Sequence, residues 1–289
     1  MKQTRAEKRF GYFNNVFLTL LALICLLPYI NLLAKSLSSE AHVMAGDILF
    51  WPKGFNVDAY KGLLTIPVFK TAFKNSLIVT VLATVVHTFF TIAIGYMTSK
   101  EHIPGSRTIM RMYVFTMLFG GGTIPTYMVI KACGLMNNLL VMVLPGMVGA
   151  FNMIMARNYF YTIPDSLEES AKLDGASNLT VFFRIMLPMA IPSVATITIF
   201  IAVGVWNNYL GPKMYLTKNE VKTLSLYLKQ IIDAANLANT AEGAEMLDKV
   251  AAASFRAAAI FISTVPILCV YPFLQKYFIV GMTMGAVKQ

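Results

Sequence analysis

Residues 75–99 read NSLIVTVLATVVHTFFTIAIGYMTS, and no Asp, Glu, Lys or Arg interrupts them. A helix rises 1.5 Å per residue, so about 20 apolar residues cross a hydrocarbon core of roughly 30 Å. This stretch is long enough. Working outward, the same charge-free character recurs at residues 10–34, 112–130, 132–156, 185–212 and 257–275. Together the six windows hold almost half of the 289 residues, and each meets the length expected of a spanning segment. Composition agrees, with 57% hydrophobic and 13% charged residues where an ordinary globular chain carries ~25% charged. The expectation is an all-α integral membrane protein with six transmembrane helices.

That reading sets aside others. A net charge of +10 would suggest nucleic acid in a soluble protein, but here the basic residues lie between the windows, where lipid headgroups and membrane orientation account for them. No nucleic-acid partner is expected; the lipid bilayer is. Cys25, Cys133 and Cys269 fall within apolar windows and form no CxxC pair, so they read as small core hydrophobes rather than metal or disulfide residues. The first apolar stretch follows Lys2, Arg5, Lys8 and Arg9 but is longer than a signal-peptide core, and it reads as a retained first helix. Six of the seven arginines fall on one side of a six-span topology, the side that carries both termini. Arginine in short segments near span ends marks the cytoplasm, so both termini are placed there.

The windows contain no acidic residue, lysine or arginine, which weighs against ion coupling, since proton- and sodium-driven carriers bind the ion on intramembrane titratable groups. His87 is the one candidate, and among Val85, Val86, Phe89 and Phe90 it reads as a hydrogen-bonded structural residue. No Gly-Lys pair occurs, so the chain has no phosphate-binding loop, and the zinc-hydrolase and serine-hydrolase motifs are missing as well. Helix-loosening residues are plentiful: Gly120-Gly121-Gly122 with Pro125, then Pro145-Gly146 and Gly149, Pro188 and Pro192, Pro266 and Pro272. Breaks of this kind suit helices that line a pathway.

Residues 164–177, PDSLEESAKLDGAS, are the most informative polar stretch. Asp165 or Ser166 after Pro164 is expected to cap a helix, whose first-turn acids suit its dipole. Glu168 and Lys172 stand four apart in the favourable order. Gly175 supplies a left-handed end, and Ser177 caps a second helix through Phe182, Phe183 and Ile185 towards Pro188. The result is a helix–turn–helix knob on the cytoplasmic side, small enough at Ala171, Gly175 and Ala176 for another protein to approach closely; an amphipathic interfacial helix without a partner is the alternative reading of the same residues.

These residues resemble the EAA motif of binding-protein-dependent ABC importer permeases: Glu-Ala-Ala, three residues, Gly, nine residues, Ile, one residue, Leu-Pro. Here Glu169-Ser170-Ala171 is followed by Gly175, Ile185 and Leu187-Pro188 with every spacing kept; Ser170 replaces the first Ala, small for small. The string from Glu168 through Asp174 and Gly175 to Ala176 is similar to the sugar-importing, maltose-type branch, and more closely to complex-oligosaccharide permeases of Gram-positive bacteria. The likeness extends to 75–77, 120–127, 206–208 and 274–285, nearly the whole chain.

The resemblance implies a multi-pass permease of the bacterial cytoplasmic membrane with the type I importer fold. It would form half of a pathway with a second permease subunit. Two cytoplasmic ATPase subunits would hold ATP and Mg and grip Glu168 to Ala176 with Ile185, Leu187 and Pro188, and an extracellular binding lipoprotein would deliver the carbohydrate. This chain itself would bind no cofactor and catalyse no reaction. Its expected parts are 1–70 (first helix and outer loop), 71–276 (a five-helix core with the coupling loop 164–188 and an outer loop 213–256) and 277–289, a short, loose cytoplasmic tail reaching the ATPase. An amphipathic helix is expected over 223–235, and the polar segment 233–245 is expected nearest the binding protein; a helical cap that shields the outer ends of the spans is the alternative. Tyr127, Asn152, Trp206, Asn207, Asn208 and Tyr209 are candidate pathway residues, because aromatic faces stack on sugar rings and amides pair with hydroxyls. Trp206 and Tyr209 suit an interfacial aromatic belt equally well. Another polar solute, an ion-coupled carrier and a non-transporting scaffold are the alternatives.

Overall fold

The computed structural model describes residues 4–238 and 253–286, and among these it holds helices and no strand. In chain order the helices are α1 (Arg5–Ser36), α2 (Glu40–Met44), α3 (Asp58–Thr65), α4 (Pro67–Ser99), α5 (Ser106–Leu118), α6 (Thr123–Ala132), α7 (Ala150–Phe160), α8 (Asp165–Leu173), α9 (Asn178–Val181), α10 (Leu187–Met189), α11 (Ile191–Asn207), α12 (Leu210–Tyr215), α13 (Leu224–Ala238) and α14 (Ala253–Ala286). A π-helical turn, Phe182–Met186, links α9 to α10.

Among the described residues three helices are long and apolar enough to cross a membrane, within α1, α4 and α14. Two bent pairs raise the number to five: α5 with α6, turned by 118°, and Asn178–Met189 with α11, turned by 79°. The first bend falls at the expected glycines; Gly122 takes φ +83, open to glycine at little cost. The 132–156 window differs from expectation. It holds a four-residue 3-10 turn, Leu139–Met142, and then the start of α7, with no helix of spanning length. Its apolar count is that of a span, but Gly134, Asn137 and Gly146 all stand at positive φ, and each breaks the helical ladder.

Two compact units are built from discontinuous segments. One joins Met1–Lys70 with Leu228–Val265. There Ala34, Val43 and Ile48 form a small buried cluster on which Ala253 packs. The Glu40 carboxylate accepts hydrogen bonds from the backbone N–H groups of Ala253 (2.7 Å) and Ser254 (3.1 Å), satisfying donors that the start of α14 cannot pair within the helix. The spanning window of α1 buries none of its residues within the chain. In lipid this carries no hydrophobic cost, because acyl chains are as apolar as leucine. The same reason corrects the reading of the cysteines: Cys25, Cys133 and Cys269 are free thiols but exposed on this chain, not core residues.

The other unit joins Thr71–Tyr227 with Pro266–Gln289. Its core gathers Ile92, Ala156, Phe160, Val181, Phe182, Met186 and Ile197 from four stretches of chain. Gly95 lets α4 approach α7 so closely that a Cβ built on it would lie 2.6 Å from that of Ala156. At the N-terminal end of α4, Asn75 Nδ2 donates to the carbonyls of Glu220 (2.9 Å) and Lys222 (3.0 Å), and Ser76 Oγ accepts from Leu224 N–H at 2.7 Å. His87 donates to the Val143 carbonyl at 2.7 Å, the structural role expected of it.

The expected amphipathic helix is α13, with Leu224, Leu226 and Ile231 buried. Most of the polar segment 233–245 lies outside the described residues, as do 287–289. The backbone from Tyr277 to Ala286, expected to be loose, continues α14 as helix. Gly281 and Gly285 lower helix propensity by only about 1 kcal/mol each relative to alanine, too little to end a helix this apolar.

Candidate functional site

Helix α8 and the turn after it form the knob. Its start differs from expectation: Pro164 occupies the N-cap position, and neither Asp165 nor Ser166 caps with its side chain. The Asp165 carboxylate, inside the first turn, is instead drawn to the Lys100 ammonium at 2.7 Å. The end is as expected. Gly175 takes φ +84, its N–H donates to Lys172 O, and Ala176 N–H donates to Ala171 O, both at 3.0 Å. This pair of bonds is the Schellman arrangement, which satisfies two of the helix's last carbonyls. Ser177 Oγ then accepts from Thr180 N–H at 3.2 Å and starts α9.

The motif divides into three groups by what each side chain touches. Glu169, Ser170, Asp174 and Gly175 are exposed, and Leu173 between them is 88% exposed, far more than an apolar residue gains from facing water. Ala171, Ala176, Ile185 and Leu187 pack on the core around Phe160, Phe182 and Met186, while Pro188 is exposed. Glu168 alone turns inward, and only 5% of it is accessible. Of the two acids expected in the coupling loop, Glu168 is buried and Glu169 exposed; consecutive helical residues do not face the same way.

Inside, Glu168 meets two lysines. Lys172 Nζ donates to Oε1 at 2.8 Å, the expected pair. Lys100 Nζ lies 2.6 Å from Oε2 in an ion pair. The Lys100 side chain is only 6% exposed, and its charge also stands 5.6 Å from the centre of the Tyr96 ring. Burial alone would push the Glu168 carboxyl up, but bonding to Lys100 and Lys172 and their charges outweigh it and hold it at about 2. Burial opposes the charge on Lys100 as well, yet Asp165 and Glu168 prevail and raise its pKa. Lys100 escaped the sequence reading because it stands 65 residues before Asp165, at the edge of an apolar window, with nothing local to pair it.

The six candidate pathway residues are dispersed. Trp206 is buried, meets Phe73 edge-on at 6.3 Å, and lines an apolar cavity of about 370 Å³ with Thr80, Thr84 and Thr198. Asn208 lines a separate small cavity of about 20 Å³. It also closes a turn: its Oδ1 accepts from Gly211 N–H at 3.1 Å and its carbonyl from Ser225 Oγ at 2.6 Å. Tyr127 stacks on Tyr215 at 6.2 Å in a different cluster. Asn152 is half-buried on α7, and Asn207 and Tyr209 are exposed.

The chain matches the family described as binding-protein-dependent transport system inner membrane component over residues 6–284. It is 38% identical to protein LplC of Bacillus subtilis (strain 168), covering 100% of this chain and 98% of that one. To the polygalacturonan/rhamnogalacturonan transport system permease protein YtcP of the same organism it is 36% identical, over 94% and 96%. Among solved structures it is similar to a chain of a bacterial ABC transporter involved in the import of the acidic polysaccharide alginate, with 33% identity, a TM-score of 0.84, and coverage of 96% of this chain and 99% of that one.

Proposed function

This chain belongs to the binding-protein-dependent transport system inner membrane components, and from that premise we propose that it is half of the pathway of an ATP-driven oligosaccharide importer. The family is one of transport permeases, not enzymes, so ATP and Mg are assigned to two separate ATPase subunits on the cytoplasmic side. A second permease subunit completes the pathway, and an extracellular binding protein delivers the sugar. The relatives' named cargoes, polygalacturonan, rhamnogalacturonan and alginate, support a carbohydrate oligomer as substrate. Six spans with both termini cytoplasmic complete the topology, the 132–156 segment crossing as a broken element. The parts are then 1–70 as first helix and outer loop, 71–276 as the core with loops 164–188 and 213–256, and 277–289 as the cytoplasmic tail.

The observation that carries the proposal is the exposed face of α8. Glu169, Ser170, Leu173, Asp174 and Gly175 project from a helix whose other side is anchored by a buried ion cluster and an apolar core. These side chains are exposed on this chain and open to a partner surface. The ATPases grip this face, and their closure on ATP moves it as a body, opening one side of the pathway and closing the other. Trp206 and the apolar cavity lined by α4, α11 and α14 are the part of the pathway this chain contributes.

Reconstitution tests the proposal. With the second permease, the ATPase and the binding protein in liposomes, labelled oligosaccharide should accumulate only when ATP and binding protein are both supplied. Accumulation driven by a proton or sodium gradient without the ATPase would contradict it.

A further inference from the structure

One of the joins between the knob and the membrane-spanning part of the chain is ionic. Lys100 follows the last residue of α4 directly, and its N–H still bonds to the Met97 carbonyl at 3.3 Å, so no flexible linker separates it from the helix. Its ammonium holds Asp165 and Glu168, in the first turn of α8. The same end of α4 is fastened to α7: Arg157 Nε donates to Thr98 O at 3.0 Å, and Gly95 packs against Ala156. Tyr96 adds ring contacts to Phe160 (5.3 Å) and Phe182 (5.1 Å). Ala171 of α8 also packs on the core, a contact of few atoms. A stiff helix of 33 residues, pinned at its end by buried charge, transmits a displacement that an apolar contact would let slip.

We propose that Lys100 is the positioning residue that locks α8 to the end of α4, so that a shift imposed on α8 moves the spanning helix with it. This rests on reading α8 as the element the ATPases grip. Lys100 touches neither substrate nor partner; it acts through Glu168 and Asp165. The role is directional, and it concerns uptake per ATP rather than hydrolysis itself.

The test is the ratio of sugar taken up to ATP hydrolysed, measured in liposomes holding the complete transporter. Lys100→Met keeps the length of the stem and removes the charge. It should lower the ratio by about tenfold or more, within the roughly 5–150-fold range of coupling between sites, while the ATPase still co-purifies and hydrolyses ATP. Lys100→Arg should stay within about twofold of wild type, because a guanidinium reaches the same carboxylates. A ratio for Lys100→Met equal to wild type overturns the proposal.

Should Lys100→Met not assemble, the pair Lys100→Cys with Glu168→Cys decides, in a chain whose Cys25, Cys133 and Cys269 are alanine. Reduced, this chain should be uncoupled; joined by a thiol-to-thiol linker the length of the lost ion pair, it should regain the ratio. Uptake that stays low once the two are linked means that α8 must move against α4, and the proposal falls. A wild-type transporter without any ATP-dependent uptake is a different result, the failure of the importer reading itself.

Discussion

The two ends of α4 are fastened by different chemistry. At the N-terminal end, Asn75 and Ser76 hold the loop before α13 with neutral hydrogen bonds to backbone groups of Glu220, Lys222 and Leu224. At the C-terminal end, Lys100 holds α8 with buried charge on Asp165 and Glu168. Every residue of a loop offers a carbonyl or N–H, so the first clasp constrains the partner sequence little. The second needs particular side chains on both sides. It also fails harder, because a buried charge that loses its partner has nowhere to go. The charged end is built to hold or to break; the other end is built to tolerate change.

Glu168→Gln should give the largest effect, since it leaves Lys100 with only the exposed Asp165 for compensation. Removing one partner of a buried pair costs ~3–5 kcal/mol. Proteolysis or hydrogen exchange of the purified permease should show α8 opening while the N-terminal end of α4 is unchanged. Equal loosening at both ends would erase the contrast.

Acid should single out the same end. The Glu168 carboxyl, held at about 2 in the fold, contributes stability that is present in full above its ordinary value near 4.5 and is lost as pH falls from there towards 2. Exchange protection of α8 should therefore decline across that window, with Lys100, Lys172 and the Tyr96 hydroxyl as the groups that face Glu168. The Asn75 clasp contains no titrating group and should not follow.

Asn75→Ala should cost ~1–3 kcal/mol, the range for leaving buried backbone acceptors unpaired, and should raise exchange in 219–224 without touching coupling. Smallest is Lys172→Ala. Its side chain is 39% exposed, and helix pairs of this kind are worth about 0.3–0.5 kcal/mol. A loss for Lys172→Ala as large as that for Glu168→Gln would mean that the anchor lies within α8 and not between α8 and α4.

How much of this was legible in the sequence depends on distance along the chain. The long spans at α1, α4 and α14 and the break at Gly120–Gly122 follow from local apolar and glycine content. The Glu168–Lys172 pair, the Gly175 end and the Ser177 cap each lie within six consecutive residues, and each is present as expected. The 132–156 window misled because hydropathy counts apolar side chains and takes no account of the left-handed positions at Gly134, Asn137 and Gly146. The inward turn of Glu168 was hidden because its partner is on another helix. The pathway residues were chosen by type alone, and type does not say which cavity a side chain lines; only the fold separates Trp206 from Tyr127.

The exposed face of α8 is tested most directly by ATP hydrolysis stimulated by the binding protein, in complexes carrying Gly175→Val or Glu169→Lys. A Cβ at Gly175 would meet nothing within 4 Å, so valine there acts through the left-handed backbone at φ +84 alone, a conformation costing roughly 1–2 kcal/mol for an L residue. Glu169→Lys reverses one exposed charge and leaves the buried anchor intact. Both chains should reach the membrane at normal levels and lose most of the stimulated hydrolysis. Full stimulation in both would mean that the exposed face of α8 is not where the ATPase takes hold.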